Sequence, residues 1–168
     1  DGPAVPRRGR LMGRRAPRLQ IACVGRLRPP WDAPGRVYEE RVDRMAGLRV
    51  DEVAAEPLQR GEDRARAAEA ERLRAKLLPR AVRVALDPDG RAPRSSPAFA
   101  GWLERHMRDR PVAFVVGGAV GVAPELLAEC DERIALGPLT MPHQLARVVL
   151  AEQLYRALCI TSGHPYPH

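Results

Sequence analysis

"VAFVVGGAVG", residues 112–121, opens with five apolar residues in a row and runs straight into Gly117, Gly118 and Gly121. A half-buried strand would alternate apolar and polar side chains. A run without alternation is expected of a strand covered on both faces, as in a parallel sheet between helices. The flanking sequence repeats that logic. Upstream, "LQIACV" (19–24) ends at Gly25, "LRVDEV" (48–53) alternates, and "AVRVAL" (81–86) runs into the turn-forming "DPDGRAPR" (87–94). Between them, "RVYEERVDRMA" (36–46) places Val37, Tyr38, Arg41, Val42 and Met45 at helical spacing. A charge-laced helix is expected from about Gly61 to Leu78, stopped by Pro79, and another starts at Ser96–Pro97 with Phe99, Trp102, Leu103 and His106 in register. Downstream come a short helix from Pro124, a short strand "RIAL" (133–136), the loop "GPLTMP" (137–142) and a long closing helix. Five strands alternating with five helices predict an α/β fold with a mostly parallel sheet flanked by helices.

The chain of 168 residues is 45% hydrophobic but only 4% aromatic, so its core must be aliphatic. That length suits one domain. Residues 1–18 hold six arginines and three prolines with almost no periodic apolar pattern, and read as a basic disordered extension before a single domain over 19–168. No apolar run is long enough to span a membrane, and no signal-peptide pattern opens the chain. The odd, well-separated Cys23, Cys130 and Cys159 read as buried free thiols, which points to the cytoplasm; no Cys/His cluster has metal-ligand spacing. The net charge of +7 suggests a polyanionic partner. Only Lys76 is a lysine, however, and a composition rich in Ala, Arg, Pro and Gly would raise the charge by itself, so charge alone does not decide.

In open α/β sheets ligands bind beyond the carboxyl ends of the strands. This gathers Leu86–Asp87, Gly117–Gly118 and the 136–142 loop on one edge. The GGxxG spacing lets backbone approach a ligand but is not the dinucleotide fingerprint. The stiff "GPLTMPH" loop can grip a flat heterocycle through main-chain groups, or simply join strand to helix. On the closing helix, "TMPHQLARVVLAEQLYRA" (140–157), Arg147 and Arg156 are two and a half turns apart and point to opposite sides, with His143 at the mouth. Plainer readings are a capping role for His143, a surface charge at Arg147 and an i,i+4 ion pair between Arg156 and Glu152.

"FVVGGAVG", "LTMPHQLARVVLAEQLYRALCI" and the terminal "GHPY" together closely resemble the bacterial large-subunit ribosomal RNA methyltransferase family of the SPOUT superfamily, as do "IACVGRLRPPW" and "LDPDGRAPRSSPAFA". The match extends over residues 19–166. The resemblance implies a C-terminal trefoil knot, a homodimer, and methyl transfer from S-adenosylmethionine to the N3 imide nitrogen of a pseudouridine in 23S ribosomal RNA, free or in the ribosome. Carried over by position, the cofactor would meet Leu86, Gly117, Gly118, Leu136, Gly137, Pro138, Leu139, Thr140 and Met141. Arg156, Tyr166 and His168 would serve the reaction, and His143 and Arg147 would contact RNA. The imide must lose its proton before or during attack, and a guanidinium such as Arg156 favours the developing anion. The family usually ends Pro-Tyr-His followed by a basic residue, whereas here Pro167 and His168 follow Tyr166. An RNA- or ribosome-binding protein weakened in catalysis by that tail is the alternative.

Overall fold

The computed structural model describes residues 16–166. The first fifteen residues of the basic extension, and Pro167 and His168, lie outside the described residues. Arg18, assigned above to the extension, is tied down: its backbone N–H bonds Gly47 and its guanidinium donates to the Met107 carbonyl.

The chain runs β1 (Leu19–Val24), α1 (Asp32–Ala46), β2 (Leu48–Val53), a 3-10 turn (Leu58–Arg60), α2 (Glu62–Lys76), β3 (Val82–Arg91), α3 (Ser96–His106), β4 (Val112–Val116), α4 (Pro124–Glu129), β5 (Glu132–Ile134) and α5 (His143–Ser162). The five strands form one sheet, ordered β2-β1-β4-β3-β5 and parallel throughout. Helices α1, α3 and α5 cover one face, where Ile21, Val84, Phe114, Leu103, Leu150 and Leu154 pack together. On the other face α2 and α4 meet Ala22, Val24 and Val115 through Ala70, Leu73 and Leu126. Each large apolar side chain so buried contributes about 1.5–3 kcal/mol.

β1 has no solvent-facing side: all six of its residues are buried. Its polar member, Gln20, is fully buried and satisfied. Its amide donates to Asp51 Oδ2 (2.6 Å) and the Lys76 carbonyl (2.8 Å), and its oxygen accepts from Leu78 N–H (2.9 Å). Ser95 caps α3 by accepting from Ala98 N–H (3.2 Å), with Pro97 in the first turn.

One strand departs from the sequence reading. β3 does not end at Leu86; it continues to Arg91 through "DPDGR". Leu86 and Arg91 both pair with Ile134, so Asp87–Gly90 form a bulge inside the strand. The turn-forming residues bend the strand outward without ending it. Gly90 permits this, since a Cβ there would lie 2.8 Å from the backbone of Arg133 and Ile134.

Candidate active site

The carboxyl ends of β3, β4 and β5 open into a cleft of about 580 Å³. One wall is the turn after β4. Gly117 carries the chain across Gly121, and a Cβ on it would sit 2.6 Å from the Gly121 carbonyl carbon and 2.8 Å from Val122 N. A bridge between Gly118 and Gly121, with Gly121 N–H donating to the Gly118 carbonyl (3.1 Å), closes that turn. A Cβ on Gly118 would point behind the turn, 3.0 Å from Val24 and 3.1 Å from Glu69 Oε2. Leu86 and the bulged Asp87 and Pro88 form a second wall. The loop after β5 forms the third with Leu136, Gly137, Leu139, Thr140 and Met141, while Pro138 belongs to the loop without facing the cleft. His143, the first residue of α5, stands at the rim.

Of the nine residues expected to meet a cofactor, eight line this one cleft. The cleft suits an amphipathic ligand with a flat ring: its walls are glycine backbone, aliphatic side chains and an exposed main-chain loop. Its acid, Asp87, is held by Arg133, whose Nε donates to Oδ2 at 2.6 Å.

Arg147 is not where RNA contact requires it. Only 4% exposed, it donates from Nε to Glu39 Oε1 (2.7 Å) and from Nη1 to Glu52 Oε1 (2.9 Å), clasping α5 to α1 and β2. Both the RNA-contact expectation and the surface-charge reading are therefore corrected. The helix turns this residue inward, and two carboxylates that look like ordinary surface acids in the sequence make its burial tolerable. The cost of burial lowers the guanidinium's proton affinity, but its carboxylate partners outweigh that and hold it charged. The same burial pushes the neighbouring Cys23 thiol up to about 12.

Arg156 and Tyr166 lie elsewhere. Arg156 is thirteen positions beyond His143, about 20 Å along α5. It bonds Glu152 through Nε (3.1 Å) and Nη2 (2.6 Å), the i,i+4 pair anticipated above, and its Cζ stands 4.8 Å over the Tyr166 ring. The Tyr166 hydroxyl lies 3.2 Å from both Glu152 Oε1 and the Tyr38 hydroxyl. Having one proton, it donates to the carboxylate and accepts from Tyr38. Burial, then Tyr38 and Glu152, hold its phenol well above the usual range, so at neutral pH it is a donor and not a base. Within one chain, then, these two residues form a cluster with Tyr38 and Tyr155 apart from the cleft. His168 lies outside the described residues.

Sequence reasoning missed Glu69. It is 4% exposed, accepts from Glu56 N–H through Oε1 (3.0 Å), and has no partner for Oε2 among the described residues. An acidic residue in a charge-laced helix gives no sign of being the one turned inward.

The family model described as "Predicted SPOUT methyltransferase" matches residues 18–168. The chain belongs to the SPOUT methyltransferase family. Proteins similar to this SPOUT methyltransferase include one from Thiobacillus denitrificans, 44% identical over 155 residues, covering 89% of this chain and 97% of the relative. Another from Rhodospirillum rubrum is 45% identical over 153 residues (89% and 97%), and one from Gemmatimonas aurantiaca 43% identical over 152 (89% and 98%). Each of the three is named ribosomal RNA large subunit methyltransferase H.

Proposed function

We propose that this SPOUT methyltransferase transfers a methyl group from S-adenosylmethionine to the N3 imide nitrogen of a pseudouridine in 23S ribosomal RNA, acting on the large ribosomal subunit in the cytoplasm. The observation that carries this reading is the convergence of the Gly117–Gly118 turn, the Leu136–Met141 loop and His143 on one cleft. The relatives' shared name supports the RNA substrate, and the family supports the methyl donor. The sheet order and the long return of α5 fit the knotted C-terminal segment that the resemblance implies.

When bound, S-adenosylmethionine supplies an electrophilic methyl group on a sulfonium. The main chain of Leu136–Met141 would hold its adenine, and Leu86 and Leu136 would exclude water from the ring. Gly117 and Gly118 would admit the donor's chain close to the backbone. The acceptor nitrogen is a weak acid and must lose its proton. Arg156, held charged by Glu152, would stabilise the resulting anion, and Tyr166 would donate a hydrogen bond to the ring. The proton would leave to His143, to His168 or to water.

Because Arg156 sits about 20 Å along α5 from the cleft rim, and Tyr166 packs beside it against Glu152, they serve this chemistry only if a second copy presents them there. A homodimer through α5 meets that need. Its outward face carries half-buried Leu145 and Val149 and the 41%-exposed Ile160, and Leu139 beside its start is 80% exposed. Isologous pairing would cover this apolar surface twice over.

The test is labelled methyl transfer to large subunits from a strain lacking the modification, followed by mapping of the labelled base. Label on N3 of a 23S pseudouridine is expected. Label confined to protein or small-subunit RNA, or none, overturns the reading.

A further inference from the structure

Beyond the cleft, a pocket of about 200 Å³ opens between the end of β3, the start of α3 and the edge strand β5. Phe99, Trp102 and Ile134 form its apolar floor, and Arg91, Arg94 and Arg105 stand around it. All three arginines are exposed, and among the described residues none of their guanidinium groups has an acidic or hydrogen-bonding partner. This contrasts with Arg72, Arg74, Arg133, Arg147 and Arg156, each bound to a carboxylate. The acid lining the pocket, Glu132, forms no ion pair with them among the described residues. Its two oxygens are held by Trp102 Nε1 (2.9 Å) and His106 Nε2 (2.6 Å). The Trp102 ring, stacked on Phe99 (5.5 Å, 14°) and beside His106 (4.5 Å), is thereby fixed as a rigid floor.

Three exposed, unpaired arginines bordering a partly apolar cavity make a phosphate-recognition arrangement. The apolar floor accepts sugar or base edges. The pocket also lies back to back with the active-site cleft. Ile134 lines both, and Pro88 of the cleft is three residues from Arg91, at most about 11 Å of chain.

We propose that Arg91, Arg94 and Arg105 form an RNA backbone-binding subsite, which grips the phosphates flanking the target nucleotide while the nucleotide itself enters the cleft. This rests on the methyltransferase reading above and adds where the RNA strand runs: over the β5 edge and the start of α3. The subsite reads no base. It sets affinity and register, so its loss raises KM and leaves turnover of bound RNA nearly unchanged.

The experiment compares the wild type with the triple variant Arg91→Gln/Arg94→Gln/Arg105→Gln. A control triple, Arg60→Gln/Arg64→Gln/Arg80→Gln, removes the same charge from exposed positions near the two ends of α2, on the other side of the sheet. Three quantities are measured: S-adenosylmethionine affinity by calorimetry, anisotropy-titrated affinity for fluorescein-labelled oligouridylate across a salt series, and steady-state methylation of unmodified large subunits. The pocket triple is expected to bind S-adenosylmethionine normally, so it is folded. Its log–log salt slope for RNA should fall by about 2, at roughly 0.7 per lost single-strand phosphate contact. Its KM for subunits should rise about tenfold with kcat changed less than about twofold. The control should move each quantity far less, and Arg→Lys at the three pocket positions should restore most of the slope. A pocket triple indistinguishable from wild type, or a control with the same loss, overturns the subsite. Displacement of the RNA by poly-glutamate as readily as by unlabelled oligouridylate also overturns it, and points to an acidic protein partner. A wild type that methylates no ribosomal RNA overturns the enzymatic reading instead, while the salt slope still judges the subsite.

Discussion

Arg147 is the residue whose role changes most between sequence and structure. Removing it leaves Glu39 without its cation and Glu52 with only the exposed Arg26, 3.9 Å away. Arg147→Ala is therefore expected to lower stability by about 3 kcal/mol, the low end for breaking a buried pair because Glu52 is one-third exposed. Urea unfolding at neutral pH measures it; a change below about 1 kcal/mol would show that the clasp is dispensable. Cys23 beside it gives a prediction in pH. Its thiol is pushed up from 9.0 to about 12, first by burial. The folded state thus holds a proton that the unfolded chain gives up at lower pH. This contribution is complete below pH 9 and is lost as pH rises from 9 towards 12. The stability difference between wild type and Cys23→Ala should accordingly shift against the wild type across that window and be flat below it. At this scale the segments that form the cleft were legible, because strand ends, glycines and prolines advertise backbone geometry, while its individual positions came from the resemblance. The sequence did not carry the direction in which Arg147 or Glu69 points, because charged residues on a helix look alike until their neighbours are known.

Among the elements, the turn after β4 makes the sharpest demand. A methyl group on Gly117 meets the backbone of Gly121 and Val122, which cannot yield without reshaping the turn; on Gly118 it meets the ends of the Val24 and Glu69 side chains. Gly117→Ala is expected to reduce S-adenosylmethionine affinity at least about tenfold, and Gly118→Ala by less. The larger Gly118→Val would strike behind the turn, so its loss of affinity would come through a displaced wall and not through an occupied cleft. Calorimetry on the three variants ranks them; Gly118→Ala proving worse than Gly117→Ala would contradict the geometry. The ten regular elements were legible because period and punctuation agree in most of them. β3 is the exception: Asp-Pro-Asp-Gly signals a turn in any local reading, and only pairing with β5 on both sides of the bulge shows that the strand resumes. That pairing is also what brings Asp87 and Pro88 into the cleft and Arg91 out of it.

At the scale of the whole molecule, the separation of the Arg156–Tyr166 cluster from the cleft predicts shared catalysis. Arg156→Ala homodimers should be inactive, and Gly117→Ala homodimers nearly so at S-adenosylmethionine concentrations well below their weakened affinity. Mixing them under conditions that exchange subunits should restore about a quarter of wild-type activity, since half the dimers are then mixed and each carries one intact site. No recovery, with exchange verified by mass, would place Arg156 in the cleft of its own chain or outside the reaction. Sedimentation at micromolar concentration should show twice the chain mass. Such distances were beyond the sequence, which fixes spacing along α5 but not what lies across from each turn. The strand order has a consequence for how the protein is made. No two adjacent strands are joined by a hairpin, and β1 gains its second neighbour only once Val112–Val116 has been synthesised. Until then the buried edge of β1 has only β2 beside it, and α1 waits for α5, the last of the described elements in chain order. The nascent domain thus stays open until α5 has been made, and its folding is governed by long-range closure instead of local zippering.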